Sequence, residues 1–584
     1  VTTWSPTPKV EIQFSGSTWT DITKWVDLAG GITPTRGRDN EADDALSPGT
    51  VTLTLVNDDG RFSPGLSTSP YYPNVAQDRP LRISMLVGGT YKPRFWGKIQ
   101  SWSVSWLDDN AVSSITTVVA SGLLGSFPQY TLRSAASELV RRAAGVEYHW
   151  PLLDTEGPCQ PLIGTVTLTD NGGTGYGGGG LLPMDEGTDT HPLLVSSSGK
   201  LKLTSGPLAL STAAWNLGLV LLAAPTAAGS ILQMVCLYLA GTAFQTGMTL
   251  KWNATYGFYL DDGAGGTYGY ILPTKWPVML MISGAATSSL LSAQSADGTY
   301  WSTVAQPPAG TLSQLILNPT LSGGAQWPPA HLMVSSNQLP DPQLLLGTRS
   351  TTAGAASTLS ALAGGPTVAG LPAASALLPA LDGRDASDAL EALVTGMGAR
   401  LVDALDGTLT WVPFPPSGAV VTVPAGELDP SATWETSDVG WLSDCTISWA
   451  DGTSWTATRA DGKRQSRSIE GVHSSQAQDR SYASFLVNTA SSNPRLAEVA
   501  FDLATLTEAQ RTTLAALTVG SRIKLTSLPT QMPSTLTLIV EGIDEAITEA
   551  SWTITLKCSP DVYSRLLVLG DATQGVLGTT NILA

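Results

Sequence analysis

Four histidines, His149, His191, His331 and His473, are the side chains of this chain that could exchange a proton near neutral pH. Each stands alone, with no serine or cysteine beside it in a nucleophile motif. HExxH, GxSxG and GxxxxGK[ST] are absent from the sequence. A lone histidine is ordinarily a surface or satisfied core residue, and each is read that way. Glycoside hydrolysis would need two carboxylates facing one cleft, about 5–9.5 Å apart. The middle of the chain offers Asp185-Glu186 and Asp261-Asp262. Neighbours on a strand point to opposite faces, so neither pair is a natural acid/base couple, and Asp261-Asp262-Gly263 reads as a hairpin turn. A calcium loop would need an EF-hand-like spacing, which the sequence does not show. Trp252, Tyr259, Tyr268, Tyr270, Trp276, Tyr300, Trp301 and Trp327 make the same region aromatic. Aromatic faces stack on sugars, so glycan binding is one reading. The competing one places Trp252, Trp276 and Trp301 in a hydrophobic core. Cys159, Cys236, Cys445 and Cys558 are far apart with no CxxC, which points to buried free thiols rather than zinc or a disulfide framework. No catalytic, metal or cofactor-binding residue is assigned, no cofactor is expected, no glycan-binding residue is singled out, and the chain is not read as an enzyme.

The elements that would position such residues are strands. The 584 residues imply roughly three to five domains. Hydrophobic content of 42% supports real cores, and 14% charged residues with 59 Gly and 38 Pro mark a globular, turn-rich chain. A net charge of −17 argues against ordinary nucleic-acid binding, which needs clustered Lys and Arg. Solubility alone explains the acidity. The start, VTTWSPTPKV, lacks a basic n-region and an apolar h-region, so no signal peptide is expected. The most apolar stretches, 217–224 and 231–240, are too short to span a membrane as helices.

Val51, Leu53 and Leu55 alternate with threonines, and Leu81, Ile83 and Met85 alternate with Arg82 and Ser84, each the period of a strand with one buried face. Asn57-Asp58-Asp59-Gly60 breaks the first strand. The loop Arg61-Phe62-Ser63-Pro64 to Ser69-Pro70-Tyr71-Tyr72-Pro73-Asn74 has prolines that fix φ and aromatics that can pin it down. Val10, Ile12 and Phe14 form a further strand, Trp19–Val26 a returning one, and 112–120 a closing one. GGITPTRGRDNEADDALSPG reads as a polar connection. Its Arg36, Arg38, Asp39, Glu41, Asp43 and Asp44 are taken as a solvated loop, with contact to a neighbouring subunit as the alternative. Residues 132–144 and 385–397 read as amphipathic helices. ARLVDALDGTLTWVPF is a hairpin turning at Asp406-Gly407. Further hairpin strands are expected at 439–449 and 454–458, and Thr507 with Gln510 has capping-box spacing ahead of a short helix. Near the end, Ile523 and Leu525, and then Trp552, Ile554, Leu556 and Cys558, alternate with polar residues.

The run VTLTLVNDDGRFSPG…SPYYPNV…RPLRI…FWGKIQSW resembles the N-terminal domain of minor tail proteins, the tail-tip or baseplate-hub family, of long-tailed phages of actinobacteria. LTVGSRIKLTSLP…LIVEGIDEAITEASWTITLKCSP resembles the C-terminal barrel of the same proteins. The helix–hairpin stretch ending ARLVDALDGTLTWVP is similar to this family too. SFLVNTASSNPRLAEVAF stands where relatives carry a longer helix. Trp150-Pro151-Leu152-Leu153-Asp154 resembles the opening of concanavalin-like (laminin-G-type) sandwiches inserted at this point in some of them.

The resulting fold class is mainly β and multidomain: two β-barrel hub domains, a small split α+β domain and an inserted β-sandwich. The expected domains are 1–128 (N-terminal barrel), 129–148 with 376–420 (split α+β domain) and 149–345 (lectin-like sandwich). An Ala/Gly/Ser-rich linker at 346–375, a C-terminal barrel at 421–565 and a tail at 566–584 follow. The resemblance implies a structural virion protein at the tail tip, made in the host cytoplasm. It would form a ring, expected as a homotrimer, around the DNA exit channel. Implied partners are the distal tail protein ring, the tape-measure protein and receptor-binding or central-fibre proteins, with DNA passing through without specific binding. An acidic wall would keep that DNA from sticking. Host-glycan binding by the sandwich is an added role. The alternatives are a carbohydrate-binding or carbohydrate-active protein, and the hub of a phage-tail-like injection machine.

Overall fold

The computed structural model describes residues 4–39, 47–107, 113–127, 131–132, 134–154, 158–170, 194–196, 203–226, 231–240, 248–262, 266–284, 289–305, 311–317, 325–346, 350–351, 359–360, 365–369, 376–377, 381, 384–413, 416, 419–424, 426, 428, 434–436, 441–449, 452–459, 465–473, 475–490 and 494–561. The fold is mainly β and divides into two compact units. The first, or terminal, unit comprises Val1–Tyr130, Thr351–Pro379 and Ala386–Ala584; the second comprises Thr131–Ser350 and Ala380–Asp385. The expected split α+β domain falls on both sides of this division, with helix Ala135–Arg142 in the second unit and helix Ala386–Gly396 in the first.

The terminal unit is built on a 12-stranded sheet. Its strands are β1 (Pro8–Ile12), β2 (Thr20–Asp21), β3 (Thr33–Gly37), β4 (Thr50–Val56), β5 (Pro80–Val87), β6 (Thr90–Trp106) and β7 (Ser114–Ser121) from the start of the chain. From its end come β8 (Val420–Pro424), β9 (Glu498–Asp502), β10 (Arg522–Thr526), β11 (Thr535–Ile547) and β12 (Trp552–Pro560). The order is β2-β1-β5-β6-β7-β4-β3-β11-β10-β8, with β12 joining β11 to β9. An isolated bridge between Val26 and Leu55 brings the segment after β2 back onto β4, and the strands expected to form two barrels share one branched sheet. The reason is β3. It pairs with β4 on one side and, through Thr35 opposite Asp544 and Gly37 opposite Gly542, with β11 on the other. Thr33–Gly37 lies in the segment read from sequence as a polar connection, which is corrected here to a strand.

The alternations named above supply the core. Val51, Leu53, Leu55, Leu81, Ile83, Met85, Ile523, Leu525, Trp552, Ile554 and Leu556 are all buried in one cluster drawn from both ends of the chain. The loop after β4 is pinned by its aromatics: Phe62 is fully buried, and Tyr71 stacks on Phe14 with ring centroids 3.9 Å apart. The expected returning strand at 19–26 shortens to β2 followed by a 3-10 turn, Thr23–Trp25. The Asp406-Gly407 hairpin forms as expected, Arg400–Asp403 against Leu409–Val412. Val368–Ala369, from the expected linker, adds a parallel strand. Thr507 N–H meets Gln510 Oε1 at 2.8 Å, completing the capping box of helix Glu508–Ala515. Helix Gln476–Thr489, which the hydrophobic pattern did not signal, covers a three-stranded sheet of Asp444–Ser448, Ser454–Thr458 and Ser466–Glu470.

The second unit is a sandwich of a seven-stranded and a six-stranded antiparallel sheet. Its first strand, Val146–Trp150, begins three residues ahead of the expected boundary and pairs with Pro329–Ser335. Between the sheets lie Trp150, Trp215, Trp252, Trp327, Phe258 and many leucines, a core of the size one such domain needs. Among the described residues no helix is long and apolar enough to cross a membrane.

Candidate functional site

Two carboxylates on β11 gather the cations that the sequence reading left in a solvated loop. Glu541 and Glu545 lie four residues apart on one strand, with the register against β12 shifting at Val540/Gly542. Arg94 of β6 grips Glu545 with two nitrogens, Nε at 2.9 and 3.0 Å and Nη2 at 2.6 Å, and donates Nη1 to the Ala515 carbonyl at 2.5 Å. Arg36 of β3 donates to the same carboxylate at 3.3 Å, and the Trp552 indole N–H at 2.9 Å. Glu541 accepts from Arg38 at 3.0 Å, from Arg400 at 3.0 Å and from the Ser559 hydroxyl at 2.6 Å. Arg36 and Arg38 are therefore buried or nearly buried ion-pair partners within the chain, a correction to the solvated-loop reading. Asp39 pairs with Lys557 at 2.5 Å, while Glu41, Asp43 and Asp44 lie outside the described residues.

The electrostatics follow from this burial. Desolvation opposes ionisation of Glu541, but Arg400 and Arg38 outweigh it and hold its pKa down at about 2. Burial pushes Arg36 down to about 9, helped by the like charge of Arg94 and opposed by Glu545, and it stays protonated at neutral pH. The strands must approach closely for this. A Cβ on Gly37 (φ +80°) would sit 2.4 Å from the Glu541 carbonyl oxygen, so glycine is required there. Asp403 is a separate buried carboxylate, accepting the backbone N–H of Gly49 at 2.7 Å and of Leu124 at 2.8 Å. Burial raises its pKa, and those N–H groups counter the rise. The Glu541 and Glu545 cluster ties β3, β6 and β12 to β11.

His149 and His331 are not isolated: both are fully buried in adjacent strands, with Nε2 and Nδ1 3.0 Å apart. Sequence could not signal this pair, because 182 residues separate its members. His473 Nδ1 lies 2.7 Å from Asp479, whose other oxygen accepts the Trp449 indole N–H at 2.7 Å, an arrangement that ties a loop to the first turn of a helix. His191 and Asp185-Glu186 lie outside the described residues. Asp261 pairs with Lys251 at 2.7 Å, whereas Asp262 accepts from Gly266 N–H and Tyr268 O–H at 2.9 and 3.0 Å. The two carboxylates serve a hairpin between Gly257–Asp261 and Thr267–Ile271 and do not converge on a cleft. Among the described residues no cluster of three or more His, Cys, Asp or Glu could hold a metal ion. The four cysteines are buried thiols.

The aromatics of the sandwich divide. Trp252, Tyr259 and Trp327 are buried, and Trp276, Trp301 and Tyr268 pack partly buried against the core. Tyr270 and Tyr300 are exposed, as is Tyr256, which the sequence reading passed over; Tyr256 and Tyr270 meet edge to face at 5.8 Å.

No family model and no curated protein matches the chain. Among solved structures it is similar to the 43 kDa tail protein of prophage MuSo2 from Shewanella oneidensis (9% identity, 95% of this chain and 98% of that one, TM-score 0.34). It is also similar to the tail protein from Neisseria meningitidis MC58 (8% identity, 96% and 98%, TM-score 0.34). A third likeness, covering 35% of this chain and 98% of that one, is to domain 4 of AbnA, an extracellular arabinanase from Geobacillus stearothermophilus (11% identity, TM-score 0.22). Likenesses this distant carry no inference about role.

Proposed function

We propose that this chain is a structural protein of a phage tail tip, a baseplate-hub or minor tail protein, and not an enzyme. The observation that carries the reading is the ordered set of motif words resembling that family at both ends of the chain. Those words are adjacent in space: VTLTLV is β4, RPLRI opens β5, FWGKIQSW lies in β6, and the C-terminal words supply β10, β11 and β12 of the same sheet. A scaffold subunit must keep its shape under load, and buried ion pairs joining strands far apart in sequence suit that task. In this reading homotrimeric copies surround the DNA exit channel, below the distal tail ring and tape-measure protein and above receptor-binding or central-fibre proteins. The chain is then a virion component that lets DNA pass without specific contacts. Electron microscopy of the purified assembly tests it. Threefold rings with sandwich domains projecting outward are expected; a monodisperse monomer that cleaves polysaccharide would overturn it. Capsid and terminase genes beside this one separate an infectious phage from a tail-like injection machine.

A second reading concerns the sandwich alone, as a host-glycan binder. The exposed Tyr256, Tyr270 and Tyr300 favour it, since more than half of each side chain faces solvent and a ring edge or face can meet a sugar. A glycan array probed with the full chain and with Tyr270→Ala is the check; equal signals for both would exclude this surface.

A further inference from the structure

The outer face of the terminal sheet carries a cavity of about 480 Å³ that neither reading uses. Its floor is a cross-strand row, Glu11 of β1 opposite Arg82 of β5 opposite Trp96 of β6. Its roof is the Leu405-Asp406 turn, and Gly407 (φ +90°) lies so near the Trp96 ring that a Cβ there would come within 2.9 Å. Trp19 and Tyr91 form the walls.

The polar groups are held in place. Glu11, 6% exposed, accepts from Lys9 at 2.8 Å and from Arg82 at 2.7 Å. The Arg82 guanidinium sits 4.3 Å over the Trp19 ring, and the Lys9 ammonium 5.9 Å over Tyr91. Asp406 accepts from the Thr408 N–H at 3.0 Å and hydroxyl at 2.7 Å, which fixes the roof. The volume falls within the roughly 300–1,000 Å³ of small-ligand sites.

We propose that this cavity is a subsite for a neutral, hydroxyl-rich sugar ring. The charges decide against an ionic ligand: Lys9 and Arg82 balance Glu11 and Asp406, and both cations already share a carboxylate. What remains to recognise a guest is the part of the Trp19, Tyr91 and Trp96 rings that Arg82, Lys9 and the Gly407 turn leave uncovered, with donors and acceptors pre-oriented around it. A pyranose or furanose presents that complement, C–H groups on one side and hydroxyls at its rim. Glu11 is ionised at neutral pH, its carboxyl lowered by Arg82 and Lys9 against the cost of burial, so it can only accept. The inference does not rest on the tail-tip reading, and the site is separate from the tyrosines of the sandwich.

The test uses the full chain, titrated with glucose, galactose, mannose, N-acetylglucosamine and arabinose, followed by tryptophan fluorescence and saturation-transfer NMR. At least one sugar should bind saturably, with an affinity unchanged between low and high salt because no net charge is exchanged. Trp19→Ala and Tyr91→Ala should each weaken binding about tenfold, the loss of one stacking contact. Unchanged thermal unfolding of both variants would show that the sheet is intact, and Tyr270→Ala should bind like the parent. Three results would overturn the proposal: no saturable binding of any of these sugars, steeply salt-dependent binding confined to acidic sugars, or binding abolished by Tyr270→Ala while Trp19→Ala and Tyr91→Ala are silent.

Discussion

At the centre of the terminal unit, Glu541, Glu545, Arg36 and Arg94 are withdrawn from water, whereas the interior of the sandwich is filled by Trp150, Trp215, Trp327 and the leucines around them. Both units are dominated by antiparallel strands, so the contrast lies in what enforces the pairing. In the sandwich, a strand slipped by two residues would still bury apolar side chains. In the terminal sheet, the same slip would move β11 against β3 and strand Glu545 without Arg36, leaving charges buried and uncompensated. Ion pairs of this kind add little net stability over an apolar core. They penalise wrong partners heavily, which suits strands brought together from opposite ends of the chain.

Breaking this contrast calls first on Glu545→Ala, which leaves Arg94 and Arg36 unpaired and removes the acceptor of Trp552. It should cost the terminal unit about 3–5 kcal/mol, with the sandwich transition unmoved, in urea unfolding followed by hydrogen exchange. An equal shift of both units would end the comparison. Leu332→Ala in the sandwich should do the converse, costing about 3 kcal/mol there through cavity formation while protection of β11 persists. The acid limb sharpens the point. Glu541 is held at about 2 from the usual 4.5, so its stabilising contribution is complete above pH 4.5 and fades as the pH falls toward 2. Exchange protection of β3 and β11 should therefore fall across that window in the parent and show a weaker dependence in Glu541→Gln. Gly407→Ala places a side chain at φ +90° against Trp96 and should cost about 1–2 kcal/mol in thermal unfolding of the terminal unit. Least of all, Tyr270→Ala removes an exposed ring and should alter stability by less than about 0.5 kcal/mol.

How much could be read in advance depends on how far apart the partners lie. The β4 and β5 alternations, the Asp406-Gly407 turn, the capping box at Thr507 and the Asp261-Asp262 hairpin were legible, because each is settled by residues within a few positions of one another. Thr33–Gly37 was not. Its residues carry no apolar alternation, and it is a strand because β4 and β11 flank it. Helix Gln476–Thr489 escaped notice since its buried face is narrow, only Asp479, Ala483 and Val487. Arg36 and Arg38 looked like solvent-facing charges because their carboxylates lie more than 500 positions away. The His149–His331 pair was hidden for the same reason.

Sequence alone determined the class of this protein, several of its turns and the inward face of the strands that alternate, since backbone geometry and two-residue alternation act locally. Tertiary structure decided that the two ends make one sheet, that its charges are buried partners, and that Trp19, Tyr91 and Trp96 surround a cavity. Those outcomes depend on desolvation and pairing between residues far apart in the chain, and no local pattern encodes them.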